Sequence, residues 1–390
     1  MRKYFYLLFP VFLSLVSCGQ QEGAKDGKVP VIMITDLYFP GQDVDDNIDI
    51  LVPYAMDGID LKGVVYDMTQ EHRNSLSWFY TADAEYCNSI CRSRDPGFIP
   101  IAQLNYIYDK QVPSGCSPFR RMTSPEDKVE DVPAFQQQGI DLMLDILEKT
   151  QEPVHIVTTG SLRPVAIAYN RRPDLMCSDK VAAIHVAAGA SSDANAYVEW
   201  NIMLDTLAAA RVFRSPMKLA LYPCATEKNA MDLGENNAFW MLRNSDFVLD
   251  MDPMLRNFLA FNMLSVSDRP DYLNYLEQDL PEREVNAMKM FQQKGMWTTS
   301  IWQQILGLKL VKHPDGSCDL SANPSSDDVI YEEGLRDVTL QVNDNGTFNF
   351  AYSDQPTGKK IYFRKDAKLN EDMLNDAFPR WYKTFCGKQR

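Results

Sequence analysis

Five carboxylates stand within fourteen residues near the start of the chain: Asp36, Asp43, Asp45, Asp46 and Asp49, the last four within seven positions. They follow an apolar run, Val29 to Asp36 (VPVIMITD), with almost no basic residue beside them. Like charges at that density repel one another at a strand end unless a cation offsets them. Oxygen ligands of this kind suit a hard ion, calcium or magnesium, rather than zinc. An EF-hand is excluded, because Gly41 precedes the acids and no glutamate closes the loop at the required offset. The same residues also read as a solvated acidic loop that caps the next helix through Asp46 or Asn47. Both readings stand at this point.

The other chemically capable side chains are sparse. Of four histidines, His155 and His185 fall within apolar runs, where a buried, satisfied imidazole is the default, and His313 lies by a Pro-Asp-Gly turn. His72, in a loop, is the one that a pocket could use. Cys87 and Cys91 are spaced i,i+4 with Cys116 in the next loop; no pair has zinc-finger or ribbon spacing, so a loop disulfide to Cys116 is the expectation. Gly-x-Gly-x-x-Gly, Walker and Gly-x-Ser-x-Gly motifs are absent.

These residues need a frame. Apolar, β-branched runs at Val29–Asp36, Leu61–Asp67, Phe98–Leu104, Pro153–Gly160, Val181–Ala190 and Lys218–Ala225 read as buried strands. Helical patterns near Asn74–Cys91, Pro133–Thr150, Leu162–Asn170 and Thr206–Phe213 alternate with them. Strand–helix alternation with near-continuous apolar strands predicts an α/β fold, a mostly parallel open sheet flanked by helices. Asn229–Leu310 reads as mostly helical, Val338–Phe350 with Lys360–Arg364 as a late β-hairpin, and Glu371–Phe385 as a last helix. With no repeat and no linker, residues 29–390 are taken as one domain. In such a sheet, ligands bind beyond the carboxyl ends of the strands, which directs attention to Asp36, Asp67, Thr159-Gly160 and the run after Gly189.

Ahead of that frame, Arg2 and Lys3 precede a short apolar stretch, Tyr4 to Val16, and Leu15-Val16-Ser17-Cys18-Gly19 is similar to a bacterial lipobox. Residues 1–17 are therefore expected to be a lipoprotein signal peptide, Cys18 the lipidated residue and 18–28 a flexible tether, anchoring the protein in the cell envelope. The full chain carries a formal charge of −14. Without Arg2 and Lys3 this becomes −16, a surface that repels nucleic acid.

The chain also resembles a family, the inosine–uridine preferring nucleoside hydrolases, which are calcium-dependent N-ribohydrolases. Three blocks carry the resemblance. Asp36, Pro40-Gly41 and Asp45-Asp46, followed by Ile59-Asp60-Leu61-Lys62-Gly63-Val64-Val65, are similar to the opening signature, with extra residues between Asp36 and the Asp pair. Thr159-Gly160-Ser161-Leu162-Arg163-Pro164-Val165-Ala166 resembles the family's strand-to-helix turn. The third block runs from Ala187-Ala188-Gly189-Ala190 through Glu199-Trp200-Asn201-Ile202 and Asp205 to Ala208 and Ser215. The resemblance covers residues 30–225 well and the rest weakly. It implies that Asp36 is both a Ca2+ ligand and the base for the attacking water, that Asp46 is the bidentate ligand and the Thr159 carbonyl another, and that Asp45 touches a ribose hydroxyl. By the same token Glu199 and Asn201 bind ribose, with Asn195 (or Asp193) taking the place of a further Asn.

Two departures stand out. The family's late His-Asp pair is missing; Trp297 and Thr298 stand in its place, Trp297 being a candidate to stack on a base or sugar. The family's Gly-Asn after the second strand is replaced by a different loop, so Asp43 or Asp67 is a candidate to complete the metal shell. Glu199 and Asn201 also read, without any resemblance, as a helix N-cap. The expected function is calcium-dependent hydrolysis of the N-glycosidic bond of a nucleoside or related riboside, in a homo-oligomer or a monomer. The competing reading is a catalytically impaired relative that binds a sugar or nucleoside without cleaving it; a purely structural lipoprotein leaves the acids unexplained.

Overall fold

The computed structural model describes residues 27–39, 41, 44–69, 95–191, 197–264, 271–289 and 293–388. The expected signal peptide, Cys18 and most of the expected tether, together with the expected helix near Asn74–Cys91, lie outside them. A nine-stranded sheet forms the centre. In spatial order its strands are Ser114–Cys116, Ile59–Tyr66, Val29–Thr35, Val154–Thr158, Val181–Val186, Leu219–Leu221, Lys359–Arg364, Glu333–Val342 and Phe348–Tyr352. The first seven of these pair in parallel and the last two antiparallel. The late hairpin is thus a part of the main sheet, attached through Lys359–Arg364.

Each central strand is apolar on both faces because both are covered. Along the first strand, Val31 and Met33 enter one core cluster and Ile32 and Ile34 the other. Helices Gln138–Lys149, Arg163–Arg171 and Thr206–Arg214 close the second cluster through Ile140, Met143, Val165, Val212 and Phe213. On the opposite face lie helices Val44–Asp49, Phe98–Tyr108, Pro253–Met263, Thr299–Leu306 and Ala367–Lys383.

Three expectations change. Phe98–Leu104 belongs to a helix, Phe98–Tyr108, not a strand. The run FIPIAQLNYIY is apolar on nearly every side, so periodicity could not separate the two, and Pro100 sits in the first turn, where a missing N–H costs nothing. Asn229–Leu310 contains, besides helices, an antiparallel pair, Trp240–Leu242 with Lys294–Met296. Cys116 is a buried thiol rather than half of a disulfide. Among the described residues, no helix is long and apolar enough to cross a membrane.

Candidate active site

After the first strand the chain adds neighbours on one side, Ile59–Tyr66 and Ser114–Cys116, then crosses to the other, Val154–Thr158, Val181–Val186 and Leu219–Leu221. The crevice therefore opens where this order reverses, beyond Thr35 and Thr158. Asp36 and Thr159 are the next residues of those two strands. They are locked in register: the Thr159 N–H donates to the Ile34 carbonyl at 3.0 Å, and the Asp67 N–H to the Thr35 carbonyl at 2.8 Å. Gly160 lies against both acids. A Cβ there would stand 2.8 Å from Asp67 Oδ2 and 3.2 Å from Asp36 Cβ, so the close approach requires glycine.

Asp67 is fully committed. Its Oδ1 accepts from Arg163 Nη2 at 2.7 Å, and its Oδ2 from the Ser161 N–H at 2.6 Å. Both side chains of the ion pair are wholly buried. That corrects the expectation that Asp67 completes a metal shell: the Arg163 guanidinium, also bound to the Met68 carbonyl at 2.7 Å, already neutralises it. Nη1 stands 4.0 Å from Asp205, whose carboxylate caps Thr206–Arg214 and accepts from the Met122 N–H. The Tyr38 hydroxyl is pushed up by burial, then by Asp36 and Asp67.

The Glu199 carboxylate caps the helix Trp200–Leu204. It accepts from the N–H groups of Gly189 (2.8 Å), Asn201 (3.0 Å) and Ile202 (3.4 Å). Burial nevertheless raises its pKa to about 7, against the pull of these donors. The Asn201 amide donates to the Thr159 carbonyl at 3.0 Å and to the Ala187 carbonyl at 2.9 Å. The capping geometry is thus real, and it ties Asn201 to one of the carbonyls at the crevice.

Cys224, which sequence reasoning gave no role, reports how these groups meet. Its thiol is driven well above the usual range by burial first, then by Glu199, Asp45 and Asp36. Three carboxylates, one from a strand end and two from helix starts, therefore act on a single sulfur. Trp297 approaches the same point: its Nε1 donates to the Cys224 carbonyl at 2.9 Å, and its ring lies tilted 5.4 Å from Phe239. Asp45 and Asp46 are half-buried in the first turn of Val44–Asp49, where a helix N-terminus favours negative charge. Asp49, one turn later, is 2% exposed with an unpartnered Oδ1, beside Thr298. Its i,i+3 spacing from Asp46 was the signal that could have marked it. Asp43, His72, Asp193 and Asn195 lie outside the described residues.

The donors Asp36, Asp46 and the Thr159 carbonyl are all hard oxygens, and they fit calcium in kind. Asn201 donates to one lone pair of the Thr159 carbonyl, and a carbonyl oxygen has two. Among the described residues, no group of three or more His, Cys, Asp or Glu side chains stands together as a ligand set.

Residues 92–271 match the family model described as inosine-uridine preferring nucleoside hydrolase. A pyrimidine-specific ribonucleoside hydrolase, RihA, of Escherichia coli O127:H6 is 36% identical over 94 residues, 23% of this chain and 30% of that protein. The RihA of Enterobacter sp. (strain 638) is 33% identical over 94 residues, 23% of this chain and 29% of its own. The matches thus span under a third of the relatives' length. Among solved structures, an inosine-uridine preferring nucleoside hydrolase from Bacillus anthracis is 12% identical, covering 91% of this chain and 99% of that one, with a TM-score of 0.44. A purine-preferring ribonucleoside hydrolase from Gardnerella vaginalis is 14% identical at the same coverage, TM-score 0.44. The matched stretch takes in both the Thr159–Ala166 turn and the Ala187–Ser215 block, and over it the chain is similar to the inosine-uridine preferring nucleoside hydrolase family.

Proposed function

We propose that the protein hydrolyses the N-glycosidic bond of a nucleoside or a related riboside, with calcium bound at the acidic floor of the crevice. The observation that carries this reading is the meeting of Asp36 with the Thr159-Gly160 turn where the strand order reverses, with Asp36, Asp45 and Glu199 all acting on the Cys224 thiol. Cleavage of a riboside passes through an oxocarbenium-like state, which fixed carboxylates stabilise and water must attack. Asp36, half-buried at the strand end, is the base that takes the water's proton. Asp45, Glu199, Asn201 and Asn195 hold ribose hydroxyls, and Trp297, pinned by its indole N–H, packs against the sugar or base. When bound at Asp36, Asp46 and the Thr159 carbonyl, calcium would make that water more acidic. A lipid on Cys18 would keep this chemistry at the membrane surface of the cell envelope.

The test is release of free ribose from inosine and uridine by residues 19–390, in calcium and in chelator. Asp36→Asn is expected to reduce kcat by roughly 100- to 10,000-fold, the usual contribution of a positioned base. If the unaltered chain binds a nucleoside but frees no ribose from any, it is a binding protein and the reading fails.

A further inference from the structure

A second cleft, of about 610 Å³, opens beside the candidate site. Beyond the strands Val181–Val186 and Leu219–Leu221 the two chains run on together through a parallel bridge, Ala190 to Ala225, and the Ser191 N–H donates to the Ala225 carbonyl at 2.9 Å. Ser191 and Thr226, which line the cleft, are each two residues past Gly189 and Cys224, which belong to the acid site. The cleft therefore begins where the acid site ends.

Its walls are held in place. Arg364, 1% exposed, binds the Gly234 carbonyl at 2.9 Å, Asn237 Oδ1 at 3.0 Å and the Phe239 carbonyl at 2.8 Å. This ties the loop from Thr226 to Asn237 to the sheet, so its shape is ready before a ligand arrives. Ser191 is 8% exposed and lines the cleft, and among the described residues its hydroxyl has no protein partner. Glu227, Asp232 and Glu235 outnumber Lys228, and the Phe350 ring forms part of one side.

We infer that this cleft is a subsite for a neutral sugar joined to the riboside, so that the natural substrate is larger than a free nucleoside. Three carboxylates against one ammonium repel a phosphate or carboxylate extension. They accept hydrogen bonds from hydroxyl groups, the Ser191 hydroxyl adds a donor and acceptor, and Phe350 offers a flat apolar face to the C–H side of a sugar ring. The volume falls in the ordinary range of small-molecule sites, ~300–1,000 Å³. The inference rests on the hydrolase reading for the riboside half of the substrate.

The experiment is calorimetric binding of inosine and of its 2′-, 3′- and 5′-O-galactosyl derivatives to residues 19–390 and to the Asp232→Asn/Glu235→Gln variant, with free ribose and base measured in parallel. At least one galactosyl isomer is expected to bind about tenfold or more tighter than inosine. The variant should erase that gain while leaving inosine binding unchanged, since neither residue belongs to the acid site. No gain with any isomer, or a gain that survives in the variant, overturns the subsite. Hydrolysis failing for every compound while the binding pattern holds would instead overturn the hydrolase reading alone, and failure to bind any of the four would overturn both.

Discussion

Asp49→Asn should make the protein more stable at pH 8, although it alters a fully buried residue. Asp49 is 2% exposed, its Oδ1 has no partner, and burial raises its pKa from 3.8 to about 7, with Thr298 alongside offsetting only part of the effect. At about 1.36 kcal/mol per unit, holding that carboxylate ionised in the folded state costs about 4 kcal/mol. The folded pKa lies above the unfolded one, so the protein is at full stability below about pH 4 and loses this amount as the pH rises through 7. Asparagine has nearly the same shape and no charge, but its buried NH2 offsets part of the gain, by about 1–2 kcal/mol. A net gain of about 2–3 kcal/mol at pH 8 is expected, or a Tm higher by roughly 3–4 °C at ~2.1 cal/mol/K per residue over this length. Thermal unfolding of both proteins in chelator, between pH 4.5 and 8, measures it without interference from metal binding. A variant less stable at pH 8, or a difference that does not shrink toward pH 4.5, would show that Asp49 has an ionic partner and refute the reasoning.

Other outcomes follow from the same geometry. Arg163→Met strands the buried Asp67 carboxylate and should cost ~3–5 kcal/mol in urea unfolding, with Asp67→Asn added to it restoring at least half; equal costs for single and double variants would show that the ion pair is not what holds the turn. His185, buried and hydrogen-bonded to His155 (2.9 Å) and Tyr222 (3.2 Å), has its pKa lowered to about 3 by burial and by His155. The unfolded chain then takes up the proton first, so between pH 7 and pH 5 the parent should lose about 2 kcal/mol relative to His185→Gln. Parallel pH profiles of the two would contradict this. Gly160→Ala places a methyl 2.8 Å from Asp67 Oδ2 and 3.2 Å from Asp36 Cβ; kcat on inosine should fall about tenfold or more, as misplacement of a reacting group does, with the fold retained by circular dichroism. Unchanged kcat would separate Asp36 from the turn.

Much of this protein is written locally in its sequence. Apolar β-branched runs alternating with amphipathic helices determine a parallel sheet covered on both faces, because no other arrangement buries both sides of such strands. That in turn puts Asp36 and Thr159 at a carboxyl edge, and the spacing from Glu199 to Asp205 marks two successive helix starts, each capped by an acid. Local pattern failed where it carries no information: Phe98–Tyr108, apolar all round, suited strand and helix equally. Only the tertiary structure decided which acids keep a free charge. Asp67 meets Arg163 from 96 residues away, Glu199 gives its oxygens to backbone N–H groups, and Asp49 is buried with one oxygen unpartnered. The physical reason is that a carboxylate's state depends on burial and on partners brought together by chain crossings, and neither leaves a period in the sequence.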